Sequence, residues 1–195
     1  MPRPSIKTTK QVLIAARHLF YWQGARTTSV CEITAGAGMS PAGMYGLFGS
    51  KDELLLAYVD DVCMRYQEWF SDVTSNEIGS PRERIMALFE AISKQIRTHE
   101  GRGCPLILLL SEFPDRSSPV YQRAVGCKRW FRDQVGQLTG ELSECAPSSA
   151  SELLADQLVL VIEGMYTGAQ VYGPEGPPKQ AGAVLDALLA QYSTS

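Results

Sequence analysis

Apolar positions along this chain recur at three- and four-residue steps, the spacing of one face of a helix. Over residues 7–23, Val12, Leu13, Ala16, Leu19 and Phe20 share such a face, and Gly24 ends the segment. Two very short helices are predicted next, roughly 29–35 and 40–46. Ser29 and Glu32 stand three apart and can satisfy each other's backbone N–H as a capping box. Ser40 precedes Pro41, which suits the first helical position because it has no N–H to leave unpaired. Between them Ala35-Gly36-Ala37-Gly38 is too small and flexible to continue a helix. Ser50 and Glu53 open a long helix from Lys51 to about Asp72, striped by Leu54, Leu55, Tyr58, Val59, Val62, Tyr66, Trp69 and Phe70.

The rest of the chain continues the pattern. Ser80-Pro81-Arg82-Glu83 is another helix start, followed by Ile85, Leu88, Phe89, Ile92 and Ile96 and ending near His99-Glu100-Gly101. Pro105 starts the run Leu106 to Leu110, five apolar residues with no second strand candidate to pair with, which predicts a short buried helix. Pro119 begins a helix to about Leu138, and 140–151 is a small, polar loop. Ser149 and Glu152 then cap a helix at 152–172. Within it Leu158 to Ile162 turns through about 500 degrees at about 100 degrees per residue, so it is apolar all round and calls for burial on more than one side. After the Gly173 to Pro178 break, a last helix near 179–191 carries Val184, Leu185, Leu188 and Leu189.

The chain is therefore expected to be all-α, with about nine helices. Two helices of about one and a half turns bury little, and they are the size of a helix-turn-helix, whose second helix enters the DNA major groove. The expected organisation is a three-helix DNA-binding head, residues 1–55, and a helical dimerisation body, residues 56–195. The last two helices, doubled by two-fold symmetry, would form a four-helix dimer interface; the competing reading is a central helix of a monomer.

Charge changes this picture in one respect. The net charge is −3, unpromising for nucleic acid, but residues 1–50 carry Arg3, Lys7, Lys10, Arg17 and Arg26 against Glu32 alone, a net of +4. The remaining residues then carry −7 of that −3 total, which suggests a basic DNA-facing head on an acidic body. The apolar run after Lys10 is too short for a secretory signal, and no run approaches the roughly 20 residues of a membrane span. Cys31, Cys63, Cys104, Cys127 and Cys145 are odd in number and contain no C-x-x-C, which points to thiols in a reducing cytoplasm.

The head also matches a known pattern. Val12-Leu13-x-Ala15-Ala16-x-x-Leu19-Phe20-x-x-x-Gly24, then Thr28-Ser29-Val30-x-x-Ile33-x-x-x-Ala37-Gly38-Met39-Ser40, then Met44-Tyr45-x-x-Phe48-x-Ser50-Lys51-x-x-Leu54-Leu55 resembles the TetR family of bacterial transcriptional regulators over about residues 6–58. The body resembles that family in helix count and layout. The resemblance implies a homodimer on double-stranded DNA, at a palindromic operator, with a small molecule in the body setting the distance between two heads. It implies that Thr28 and Ser29 meet phosphate, that Ser40 to Gly46 form the recognition helix with Tyr45 on phosphate, and that Lys51 grips the backbone. Two positions depart from the family: Leu47 stands where many members carry histidine, and Gly49 where many carry a polar or basic residue. Gly103-Cys104-Pro105 resembles a Gly-Cys pair found at a similar place in some members.

Residue chemistry agrees with these roles. Helix N-termini offer N–H donors and partial positive charge to phosphates, and Ser29 and Lys51 both sit at such ends, while Ser40 opens the recognition helix. Pro41, Ala42 and Gly43 cannot read bases bidentately, which leaves thymine-methyl contact, close backbone approach and DNA shape, with Arg26 or Thr27 sharing the specificity. In the body Tyr66, Trp69, Phe70, Met86, Phe89, Trp130, Phe131, Met165 and Tyr166 suggest a largely apolar ligand, although such a stripe also reads as plain core. Arg102 beside Cys104 is a neighbour that lowers a thiol pKa, so a redox- or electrophile-gated regulator sensing through Cys104 is the alternative; a buried inert cysteine is the plainer reading. With only His18 and His99 no metal constellation is visible, and no cofactor is expected. G-x-S-x-G, a P-loop and H-E-x-x-H are all absent, which leaves an all-helical enzyme as a remote third option.

Overall fold

The computed structural model describes residues 6–98, 102–142 and 148–192. Among these, nine α-helices occur: α1 (Ile6–Gln23), α2 (Val30–Gly36), α3 (Pro41–Phe48), α4 (Lys51–Val73), α5 (Pro81–Thr98), α6 (Pro105–Glu112), α7 (Pro119–Gly140), α8 (Ser148–Tyr172) and α9 (Ala181–Gln191). Short 3₁₀ turns at Asn76–Ile78 and Pro177–Gln180 precede α5 and α9. His99, Gly101, Cys145 and the middle of the expected 140–151 loop lie outside the described residues. The expected Ser149–Glu152 cap is displaced, because α8 already begins at Ser148.

The helices form where local chemistry starts and stops them. Ser29 accepts from the Glu32 N–H at 3.2 Å while the Ser29 N–H donates to Glu32 Oε2 at 2.7 Å, a complete capping box. Ser80 and Glu83 make the same reciprocal pair at the head of α5. At α3, Ser40 Oγ accepts from the Gly43 N–H at 3.2 Å and Pro41 occupies the first turn. The turn between α2 and α3 needs a left-handed residue, supplied by Gly38 at φ 66°. Gly49 closes α3 at φ 75°, with its N–H on Tyr45 O at 2.8 Å. That left-handed conformation is one glycine adopts without strain.

The chain packs as two compact units, Met1–Arg65 with Pro105–Cys127, and Tyr66–Cys104 with Lys128–Ser195. This division differs from the expected one at 55/56. In the first unit Val12, Ala16 and Phe20 of α1, Ile33 of α2, Met44 of α3 and Leu54, Tyr58 and Val62 of α4 are buried together with Leu106 and Leu109 of α6. Phe20 meets Tyr58 edge-on at 5.2 Å between ring centres. The α1–α2 turn is tied down by Glu112, whose two carboxylate oxygens accept from the Ala25 N–H at 3.1 Å and the Arg26 N–H at 2.8 Å. Arg17 pairs with Asp61 at 2.5 Å, and Arg123 pairs with Asp60. The five-residue apolar run of α6 was expected to be wholly buried; instead it is amphipathic, with Leu106 and Leu109 inside and Ile107 exposed.

In the second unit α5 turns Ile85, Leu88, Phe89, Ile92 and Ile96 inward, α8 contributes Leu154, Leu158, Ile162 and Met165, and α9 contributes Leu185 and Leu189. Tyr166 OH donates to Gln95 Oε1 at 2.9 Å, joining α8 to α5. Among the described residues no helix is long and apolar enough to cross a membrane.

Candidate functional site

The α2–α3 pair is built so that one side is core and the other is water. Ile33 and Met44 have no exposed surface, and they seat the two short helices on α1 and α4. The opposite side presents Ser40, Pro41, Ala42 and Gly46, with Tyr45 48% exposed. Gly43 is half-buried, and a methyl added there would come within 3.0 Å of the flexible end of Met39. Ser29 is exposed at the head of α2, and Lys51 is half-buried at the head of α4.

Thr28, expected at phosphate, is only 1% exposed, and its hydroxyl donates to Gly24 O at 2.7 Å, where it closes the end of α1. Thr27, next to it, is exposed and donates to Gln23 O at 2.6 Å. Ser29 is also engaged: its hydroxyl donates to Glu32 Oε2 at 2.7 Å as well as capping the helix. These bonds and the nearby Lys51 ammonium hold the Glu32 carboxyl below its ordinary value. Lys51 Nζ donates to Arg26 O at 3.4 Å. Two of the five cations of residues 1–50 are already used within the fold, since Arg17 pairs with Asp61 and Arg26 lies over the Phe113 ring at 5.0 Å.

The body aromatics form a connected set. Tyr66 stacks on Trp69 at 5.5 Å and meets Phe131 at 5.2 Å, and Phe70 meets Trp130 and Phe131 edge-on at 5.5 and 5.6 Å. Phe89, Met165 and Tyr166 are buried. Met86 is not part of this set: it sits one residue off the Ile85–Phe89 face and is exposed. A charged pair that aromatic patterning could not signal, Lys128 with Glu163, lies here too, with Lys128 Nζ 5.4 Å from the Phe131 ring centre. Cys104 is 5% exposed. Cys63 and Cys127 are instead in side-chain contact, and this hydrogen bond, with burial, pushes the Cys63 thiol pKa up. Among the described residues no cluster of three or more metal-ligating side chains occurs.

A serine-capped short helix, exposed along one side and seated by buried Ile33 and Met44 across a glycine turn, defines a helix-turn-helix protein. The model of bacterial regulatory proteins of the tetR family matches residues 12–58, and that of the tetracyclin repressor-like C-terminal domain matches residues 81–185. The chain thus belongs to the TetR family and is a DNA-binding transcriptional regulator, not an enzyme. It is 27% identical over 157 residues to the HTH-type transcriptional regulator BetI of Rhizobium meliloti, covering 80% of this chain and 75% of that one. It is 34% identical over 96 residues to the HTH-type transcriptional repressor KstR2 of Mycobacterium tuberculosis, covering 47% and 46%. Its fold is that of the TetR-family regulator SCO4454 from Streptomyces coelicolor, with a TM-score of 0.87 at 23% identity over 96% of each chain. Regulators of this family bind DNA and act as dimers.

Proposed function

We propose that the chain is a cytoplasmic repressor that binds a palindromic operator as a homodimer and leaves it when a small, largely apolar ligand occupies the body. The observation that carries the DNA-binding reading is the solvent-facing row Ser40, Pro41, Ala42 and Tyr45 on α3, flanked by Ser29 and Lys51. Ser29, Ser40, Tyr45 and Lys51 supply phosphate contacts, which position the protein without reading sequence. Pro41, Ala42 and Gly43 supply apolar and backbone contact in the groove. The repressor sense follows the named repressor among the relatives.

Dimerisation is supported by α8, where Leu153, Leu160 and Val171 are exposed. They fall seven and eighteen residues apart along the helix, and so on one stripe. Leu160, 73% exposed, stands opposite the buried Leu158 and Ile162. Such a stripe of large apolar side chains marks a protein–protein surface. For the effector, the support is the connected ring set, with Lys128 and Glu163 as a polar handle within it. Burial of Cys104 weighs against the redox alternative, because a thiol closed off from solvent is inert.

The test is selection of duplexes from a random pool, followed by a reporter carrying the selected site across its promoter. Repression relieved by an apolar ligand that the body binds is the expected result. Activation from the same site would overturn the repressor sense.

A further inference from the structure

The second unit contains a polar cleft of about 250 Å³, formed by the end of α4, the 3₁₀ turn after it, the start of α5 and the last turns of α7. At about 30 Å³ per liquid water, it has room for about eight waters, the scale of a metabolite and not of a drug-sized molecule. Its wall shares Phe70 with the aromatic set but is otherwise chiefly hydroxyl and amide: Ser71, Ser75, Gln134 and Gln137 among others. The two charged groups are Arg84 and Glu141.

Arg84 is the unusual member. Its side chain is only 8% exposed, and arginine is rarely buried without a full set of partners. Nη1 donates to Asn76 Oδ1 at 2.8 Å, and Nη2 is paired with Glu141. Nε, which shares an edge of the planar guanidinium with Nη2, is buried and has no hydrogen-bond partner in the structure. That edge is the one a carboxylate takes with two parallel bonds. Glu141 engages half of it, and Glu141 is 51% exposed and able to turn away.

We propose that this cleft binds a small α-amino acid with an uncharged polar side chain. Its carboxylate takes the Nε–Nη2 edge of Arg84. Glu141 gives up that edge and accepts the ammonium group. The opposite charges of Arg84 and Glu141 cancel, so a zwitterion leaves neither unpaired, whereas a simple anion would face the Glu141 carboxylate at close range. Gln134, Gln137 and Ser71 can both donate and accept, which suits an uncharged polar side chain. This site shares only Phe70 with the apolar effector site proposed above and does not depend on that proposal.

The experiment is isothermal titration of the full chain with L-serine, L-threonine, L-asparagine and L-glutamine, using L-lactate and ethanolamine as single-charge controls. At least one amino acid should bind one per chain with a Kd below about 1 mM, and each control about tenfold or more weaker. Glu141→Gln and Arg84→Lys should each weaken that binding about tenfold or more, since each removes a charge-assisted bond. If Arg84→Lys does not fold, the half-exposed Glu141→Gln decides. No binding of any of the four at about 10 mM would overturn the proposal. So would lactate binding as tightly as the amino acids, or binding untouched by Glu141→Gln.

Discussion

The hydroxyl of Ser29 accepts from the Glu32 N–H and donates to Glu32 Oε2, and the Ser29 N–H donates to the same oxygen, so both donors of this cap residue already serve a carboxylate. A phosphate approaching this helix end meets that negative charge. Glu32→Gln keeps a capping-box side chain and removes the charge; DNA affinity at low salt should rise about two- to fivefold, the scale of a single charge at a helix end, as read by fluorescence anisotropy. A fall in affinity would mean that Glu32 positions Ser29 for DNA. The same carboxylate predicts a pH dependence. The hydrogen bonds from Ser29 and Ser80 hold the Glu32 and Glu83 carboxyls below the ordinary glutamate pKa. A depressed folded pKa stabilises above the unfolded value and loses that contribution as pH falls through the folded one. Helicity followed by circular dichroism should thus drop below about pH 4.5, and at a lower pH in the Glu32→Gln, Glu83→Gln double variant. Lys51→Ala should weaken binding to all duplexes alike and lower the salt slope by about 1, whereas substituting Ala42 should change which duplex is preferred.

At the scale of elements, helix starts were legible because capping chemistry is local. The expected 29–35 and 40–46 segments are Val30–Gly36 and Pro41–Phe48, and Lys51 opens α4. What sequence could not reveal depends on a third partner. Glu112 secures the α1–α2 turn from 86 residues away, and nothing in its local pattern marks it. Thr28 carries a hydroxyl like Ser29, and only burial separates them. The cleft around Arg84 is built from polar side chains on four elements, and no local pattern marks their convergence. The all-round apolar segment of α8 did announce a second face, and the residue farthest out in it is Leu160. Leu160→Glu should therefore yield folded monomers by sedimentation. Leu158→Ala, fully buried, should instead cost about 2–5 kcal/mol of stability without dissociating the dimer selectively. If Leu160→Glu remains dimeric, the interface lies elsewhere.

At the scale of the whole molecule, we propose a two-state equilibrium that DNA and effector bias in opposite directions. A ligand shifts it only by its difference in affinity for the two states. With a coupling of about 1–3 kcal/mol, effector saturation should lower operator affinity about 5- to 150-fold, and operator must weaken effector binding by the same factor. Helix α4 carries both Lys51 and the ring positions Tyr66, Trp69 and Phe70, which makes it the element through which we expect the coupling to run. Titration of Trp69 and Trp130 fluorescence with and without operator checks the reciprocity. A ligand whose affinity is unchanged by saturating operator is not the inducer.

We propose that α3 reads DNA from the face bearing Pro41, Ala42 and Tyr45. The most direct measurement is duplex selection from a random pool by the full chain, repeated with Ala42→Gln. The account predicts a palindromic site whose half-site centres lie about 34–36 Å apart or a multiple of that, and a changed base preference within each half-site for the variant. An unselective pool, or an identical selected sequence for both proteins, would contradict it.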